Sequence, residues 1–152
     1  MAYESTEVAV SKSQESIRKL IYAHKGTGLM LLSQPPREGF EAMVEMEKTA
    51  YHIRVMATCK TRFLNRSGWA LEGGALAKAR EQEERRVWRV LYWHLKAMFE
   101  AADAGVIDIR DIIMPYVVLR DGRTLADHIK PQMQTLMTAD PARLLSTGEA
   151  RP

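Results

Sequence analysis

The chain has 152 residues, of which 46% are apolar and 27% charged, and its formal net charge is +3 at pH 7. This composition is typical of one globular domain that can bury a core, and it excludes a disordered or fibrous chain. The longest apolar stretch, residues 106–119, is interrupted by charged residues, so no transmembrane helix is predicted. No secretory leader is apparent, and the lone Cys59 suits a reducing compartment. We therefore expect a cytoplasmic protein without membrane association.

The N-terminal region predicts a short tail and then a helix. Residues 1–10 are polar and are expected to form a disordered tail. A helix begins around residues 11–16, where Ser11 or Ser13 can cap the free amides, and residues 25–28 end it with two glycines. The apolar stripe at helical spacing consists of Ile17, Leu20, Ile21 and His24.

Three strands are predicted next. Residues 28–32 form a short apolar run that suits a buried strand, and residues 34–39 are predicted to be a loop. Residues 40–46 and 51–57 alternate apolar with polar side chains, which indicates an antiparallel hairpin that turns near residues 47–49. Glutamates on its first strand would then face His52 and Arg54 on its second.

The strongest helix signal follows a stretch without clear periodicity. Residues 59–74 are predicted to be a long loop or an irregular extension of the hairpin. Residues 75–104 predict a long amphipathic helix that stops at Gly105. Its apolar face consists of Val87, Trp88, Leu91, Leu95, Met98, Phe99 and Ala102.

The C-terminal region predicts short helices. Asp108 can cap one that spans residues 109–114, and Thr124 with Asp127 resembles a capping box for another, which Pro131 interrupts. Residues 139–152 are expected to be a disordered tail. The predicted fold is therefore a single α+β domain over residues 11–138: an N-terminal helix, a small three-stranded antiparallel sheet, a long helix packed on the sheet and short C-terminal helices.

Three stretches together resemble a known group of proteins. They are Tyr51-His52-Ile53-Arg54-Val55, the long helix from Arg86 through Glu100 to Val106, and the turn Val118-Leu119-Arg120-Asp121-Gly122-Arg123-Thr124. In that order they resemble small uncharacterised proteins encoded by bacterial phages and integrated elements, although that group more often has a Gly-Arg turn at the hairpin. The resemblance spans residues 11–129 and implies a mobile-element setting. It transfers no catalytic residue, and it favours DNA handling and inhibition of host machinery equally.

A run of positive charge is the main functional signal. Residues 48–71 contain five cations and no acid, which exceeds the net charge of the whole chain. Such a patch attracts polyanions, and an aromatic ring such as Trp69 can stack on an unpaired base. The candidate nucleic-acid-binding residues are Arg54, Lys60, Arg62, Arg66 and Trp69, helped by Arg85, Arg86 and Arg89.

Each of these residues also has an ordinary structural interpretation. Arg54 can pair with the hairpin glutamates, the loop cations can be solvated, and Trp69 can pack on the core. The charges at the start of the long helix can pair internally, as Glu81 and Arg85 would one turn apart.

Tyr92 and Trp93 support an alternative function. They lie away from the centre of the apolar stripe, with Arg89 nearby, so they can form a second packed surface within the domain or an anchor for a partner protein. The alternative is a protein-interaction module, either an inhibitor of a host enzyme or a self-associating structural protein.

No motif predicts catalysis, a metal or a cofactor. The four histidines lie on different predicted elements without metal-ligand spacing, and neither a phosphate-binding loop nor a nucleophile elbow is present. We therefore expect no enzymatic activity, no metal and no cofactor. We expect an accessory protein of a phage or mobile element that binds nucleic acid mainly by electrostatics and without sequence specificity. As the alternative, we expect a homo-oligomer or a complex with a host protein.

Overall fold

The computed structural model describes residues 3–137, so residues 1 and 2 and the whole predicted C-terminal tail lie outside the described part. The elements are α1 (Val10–Ala23), β1 (Gly28–Gln34), β2 (Arg37–Met46), β3 (Thr49–Thr58), α2 (Gly73–Asp103), α3 (Ile109–Ile113), α4 (Leu125–Ile129) and α5 (Met133–Leu136). Short 3₁₀ turns at Met114–Tyr116 and Lys130–Gln132 join the last three helices. The predicted α+β fold is confirmed.

The sheet is an antiparallel meander with the order β1-β2-β3. The predicted hairpin turn is confirmed, because Glu47 and Lys48 alone connect β2 to β3, and both have the positive φ angles of a two-residue turn. The loop predicted at residues 34–39 is present but shorter. Pro35 and Pro36 suffice for the turn, so β1 and β2 run on to Gln34 and Arg37, which pair with each other.

One face of the sheet packs against a helical layer. The alternation predicted for β2 and β3 puts their apolar side chains on this face, opposite the apolar stripes of α1 and α2. The core also takes Ile109 and Ile113 from α3, the helix that Asp108 caps as predicted, by accepting a hydrogen bond from the Arg110 amide. The largest side chains below 2% exposure include Trp88, Phe40, Phe99, Ile17, Ile21, Ile53 and Leu95.

The start of α1 differs from the prediction. The helix begins at Val10, after Ala9, and no side chain caps it, so the predicted serine cap is wrong. Ser13 instead lies inside the helix and is fully buried. It falls four and eight residues before Ile17 and Ile21, so it belongs to the buried stripe of the helix.

The segment before α1 contacts α2. The side-chain amide of Gln82 donates hydrogen bonds to the carbonyls of Glu4 and Thr6, both at 3.0 Å. The Tyr3 ring stacks against Trp93 with 6.4 Å between ring centroids. Composition alone predicts a tail here, because it cannot show that Gln82 and Trp93 offer partners to these residues.

The C-terminal elements contact the middle of the free edge of β3. Val117 bridges Ile53, and the Val118 amide donates to the His52 carbonyl at 2.8 Å. The predicted capping box at Thr124 and Asp127 is confirmed, and the helix restarts around Pro131 as expected. None of the helices described for residues 3–137 has the length and apolar character needed to cross a bilayer.

Gly39 provides a direct test of the sheet packing. A Cβ at this position would lie 2.1 Å from the Val55 carbonyl oxygen and 2.7 Å from the Met56 sulfur. Gly39→Ala should therefore lower the free energy of unfolding by about 1–3 kcal/mol, measured by urea denaturation. The matched control is Gly74→Ala in α2, where a Cβ meets nothing within 4 Å and should stabilise by about 0.5–1 kcal/mol. Equal stability of the two variants would contradict this packing.

Candidate nucleic-acid interface

Residues 59–72 form a small hairpin-like projection between β3 and α2, called here the basic arm. Leu64 bridges Ala70, the Asn65 amide donates to the Trp69 carbonyl at 2.8 Å, and the Leu71 amide donates to the Phe63 carbonyl at 2.9 Å. The segment predicted to be a long loop or an irregular extension of the hairpin is thus a loop whose two sides pair with each other.

The tip of the arm is fixed by Asn65 and Gly68. The Asn65 side-chain oxygen accepts hydrogen bonds from the amides of Ser67 and Trp69, at 2.9 and 3.0 Å. Gly68 has a φ of +81°, a left-handed conformation that glycine adopts without steric cost. Because the turn is closed by its own hydrogen bonds, the backbone that carries Arg66 and Trp69 is held in one shape.

Trp69 is the most exposed large aromatic residue described between residues 3 and 137, with 74% of its surface open to solvent. The structural alternative, in which it packs on the core, is therefore wrong. An indole group left in water loses the stabilisation that burial would supply, so it is typical of a ligand-binding anchor.

The arm's cations are exposed and unneutralised toward the tip. Lys60, Arg62 and Arg66 are exposed, and none of them forms an ion pair with a carboxylate in the part of the chain that the structure describes. No acidic residue occurs between Lys60 and Leu71. These cations and Trp69 are the predicted site residues that the structure brings together.

Glu83, on α2, forms hydrogen bonds that connect the base of the arm to this helix. Its carboxylate, only 6% exposed, accepts hydrogen bonds from the Arg86 Nε at 2.8 Å and Nη2 at 2.7 Å. It also accepts one from the Lys60 amide at 2.9 Å. The hydrogen bonds from Arg86, reinforced by the one from the Lys60 amide, hold the pKa of Glu83 below its ordinary value despite burial.

Arg86 is therefore committed to a structural contact. A guanidinium that serves a buried carboxylate with two hydrogen bonds cannot also serve a phosphate without leaving that carboxylate unpaired. Arg85 pairs with Glu81 on the same helix, as the structural alternative predicted.

Arg54 lies apart from the arm, on the outer face of the sheet. Its Nε donates to Glu41 at 2.8 Å, and its Nη1 donates to the Gly122 carbonyl at 2.8 Å. His52 also contacts Glu41, so the cross-strand pairing expected for the hairpin is present. Burial acts to raise the pKa of Glu41, but the hydrogen bonds and charge of Arg54, followed by those of His52, lower it overall.

Arg89 belongs to an aromatic cluster on α2. Its guanidinium carbon lies 4.9 Å from the Tyr92 ring centroid and 5.2 Å from that of Trp93. Lys96 lies 4.8 Å from the Trp93 centroid, and Tyr3 stacks on the same indole. The cluster is thus the second packed surface within the domain that the sequence left open as an alternative.

Sequence reasoning missed two residues at the arm. The sequence shows Glu83 only as one of the charges at the start of the long helix, because its contact with Lys60 joins residues 23 positions apart. Arg80 lines a cleft of about 550 Å³ together with Lys60 and Phe63, and Glu38, Glu83 and Glu84 line the same cleft. The sequence does show Arg80 as a cation one helical turn before Glu83 and Glu84. It does not show that the arm folds back beside Arg80.

The cleft under the arm is not arranged to activate the Cys59 thiol. Burial, together with the charges of Glu38, Glu83 and Glu84, raises the pKa of the Cys59 thiol, which is the opposite of nucleophile activation. Among the described residues, no group of histidine, cysteine and carboxylate side chains is arranged to hold a metal ion.

No protein-family model, curated protein or solved structure matches this chain. Any argument about function therefore depends on its own residues.

Replacing Glu83 tests the fastening of the arm. Glu83→Gln removes the carboxylate that accepts both hydrogen bonds from the Arg86 guanidinium, so the free energy of unfolding at pH 7 should fall by about 2 kcal/mol. The pKa of Glu83 is lower in the folded state than its ordinary value of 4.5. Its contribution to the free energy of unfolding is therefore fully present above pH 4.5 and is lost as the pH falls through the lower pKa of the folded state. The stability difference between wild type and variant should therefore shrink in acid, measured by urea denaturation across pH.

Glu84→Gln is the matched control, since Glu84 is the exposed neighbour on the same helix. Its free energy of unfolding should stay within about 0.5 kcal/mol of wild type. Equal effects of the two variants, or a Glu83→Gln deficit independent of pH, would contradict the buried ion pair.

Proposed function

We propose that the chain binds single-stranded nucleic acid through the basic arm, mainly by electrostatics and with little sequence specificity. The observation that carries this proposal is the exposed Trp69, set on a fixed turn next to cations that have no carboxylate partner. Flat aromatic rings stack on any unpaired base, while arginine and lysine neutralise the adjacent phosphates.

The proposed site is narrower than the set expected from the sequence. Lys60, Arg62, Arg66 and Trp69 form it, and Arg80 is added because it lines the cleft beside Lys60. The remaining predicted residues, Arg54, Arg85, Arg86 and Arg89, are left out because each already contacts a carboxylate or an aromatic ring.

An exposed ring favours single strands over duplex. In a duplex the bases are already stacked on each other, so an indole gains a stacking partner only by unstacking them. An unpaired base offers its face without that cost. Whether the strand is DNA or RNA is an outcome of the binding test.

The alternative, a protein-interaction module built on Tyr92 and Trp93, has less support. Both rings are only partly exposed, and Arg89, Lys96 and Tyr3 already occupy the faces of the Trp93 indole or its surroundings. The mobile-element setting stays a prediction, since none of the comparisons bears on it.

Salt titration measures the electrostatic part of the proposal. The affinity for a fluorescent single-stranded oligonucleotide, followed by anisotropy, should fall with a log–log salt slope of about −3, as four phosphate contacts require. Arg62→Gln and Arg66→Gln should each make the slope shallower by about 0.7. Arg85→Gln is the matched control, because Arg85 is paired with Glu81, and its slope should equal that of wild type.

Trp69→Ala measures the stacking part. Loss of one base–aromatic stack should weaken binding by about 1–3 kcal/mol while the salt slope stays unchanged. Tyr22→Ala removes another exposed ring, on α1, and should have no effect on affinity. Binding that ignores salt, or that Trp69→Ala leaves intact, would overturn the proposal.

A further inference from the structure

Strand β1 is an open edge of the sheet. It has β2 on one side, and within residues 3–137 no backbone hydrogen bond or bridge reaches its other side. The opposite edge, on β3, is contacted by Val117 and Val118 at Ile53 and His52. Among the described residues, the outward N–H and C=O groups of β1 have no backbone partner.

This edge lacks the features that usually protect edge strands. Natural edges carry charged side chains, prolines or bulges that prevent pairing with another chain. The seven residues Gly28–Gln34 contain no charge and no proline, and they pair with β2 in continuous register without a bulge. On opposite faces of the strand, Met30 is 54% exposed and Leu31 38% exposed.

We infer that β1 pairs antiparallel with β1 of a second copy, which joins the two sheets into one of six strands. A two-fold axis at Leu31 sets this residue against its own copy on the helix-bearing face. On the outer face, Met30 meets Leu32 of the second copy. At the centre of this contact apolar side chains meet apolar side chains, Leu29 meets Ser33 of the second copy, and no like charges face each other across the new pair of strands.

A second copy fits this edge better than an unrelated strand. β1 carries no charge that would repel its own copy, so the same edge of two copies can pair. The ends of the six-stranded sheet are then the two β3 edges, which Val117 and Val118 contact at Ile53 and His52. Because both copies use the same edge, the contact is isologous and gives a symmetric dimer.

Sedimentation velocity of the full chain across a concentration series is the first test. The expected result is a reversible monomer–dimer equilibrium whose dimer fraction rises with concentration. The variants Arg62→Gln and Trp69→Ala should behave like wild type, because this inference does not depend on the arm.

Charge substitutions at Leu31 test the register. Leu31→Lys and Leu31→Glu each place like charges on the two-fold axis and should weaken the dimer by at least about tenfold. A one-to-one mixture of the two variants should recover a heterodimer, because opposite charges then meet. Val106→Lys is the control, since Val106 is 79% exposed beyond the end of α2 and its variant should dimerise like wild type.

Circular dichroism and thermal melting of each variant establish that the fold is retained. If a Leu31 variant fails to fold, Met30→Lys replaces it, because Met30 is more exposed than Leu31. Monomeric wild type, or a dimer that the folded charge variants leave intact, overturns the inference. So does a monomer whose β1 amides resist hydrogen exchange, since another segment of the same chain would then cover the edge.

Discussion

The buried carboxylate of Glu83 joins the sheet, the arm and the long helix. It neutralises Arg86 on its own helix and accepts a hydrogen bond from the Lys60 amide, where the chain leaves β3. Without this contact the arm would depend on its own few backbone hydrogen bonds and on the one from the Cys59 amide to the Pro36 carbonyl. The direction in which Trp69 and its neighbouring cations project thus depends on one ion pair at the base of the arm.

The fold was predictable because its signals are local. Period-two alternation in β2 and β3 and the stripe from Val87 to Phe99 define the faces that meet in the core. Asp108 and Thr124 cap their helices with residues two or three positions away. The prediction failed where residues far apart in the sequence make contact. The predicted serine cap of α1 is wrong: the helix begins at Val10, and the backbone before it accepts a hydrogen bond from the side chain of Gln82.

The candidate site was predictable only in part for the same reason. Charge along the sequence identified the arm, although folding brings the Glu83 carboxylate to its base at Lys60. Charge alone could not show that Arg54 would be held by Glu41 and Gly122, or Arg86 by Glu83. The exposure of Trp69 is likewise a tertiary property, since an indole in a sequence usually indicates core.

The central claim is that the arm, and no other surface, contacts nucleic acid. The three tryptophans differ in environment, since Trp88 is buried, Trp93 is stacked against Tyr3, and Trp69 is exposed. An NMR titration of ¹⁵N-labelled protein with a single-stranded oligonucleotide separates their indole N–H signals. The account predicts that the Trp69 indole and the amides of residues 62–69 shift while the indoles of Trp88 and Trp93 do not. Shifts confined to β1 or the outer face of the sheet, with Trp69 unchanged, would contradict it.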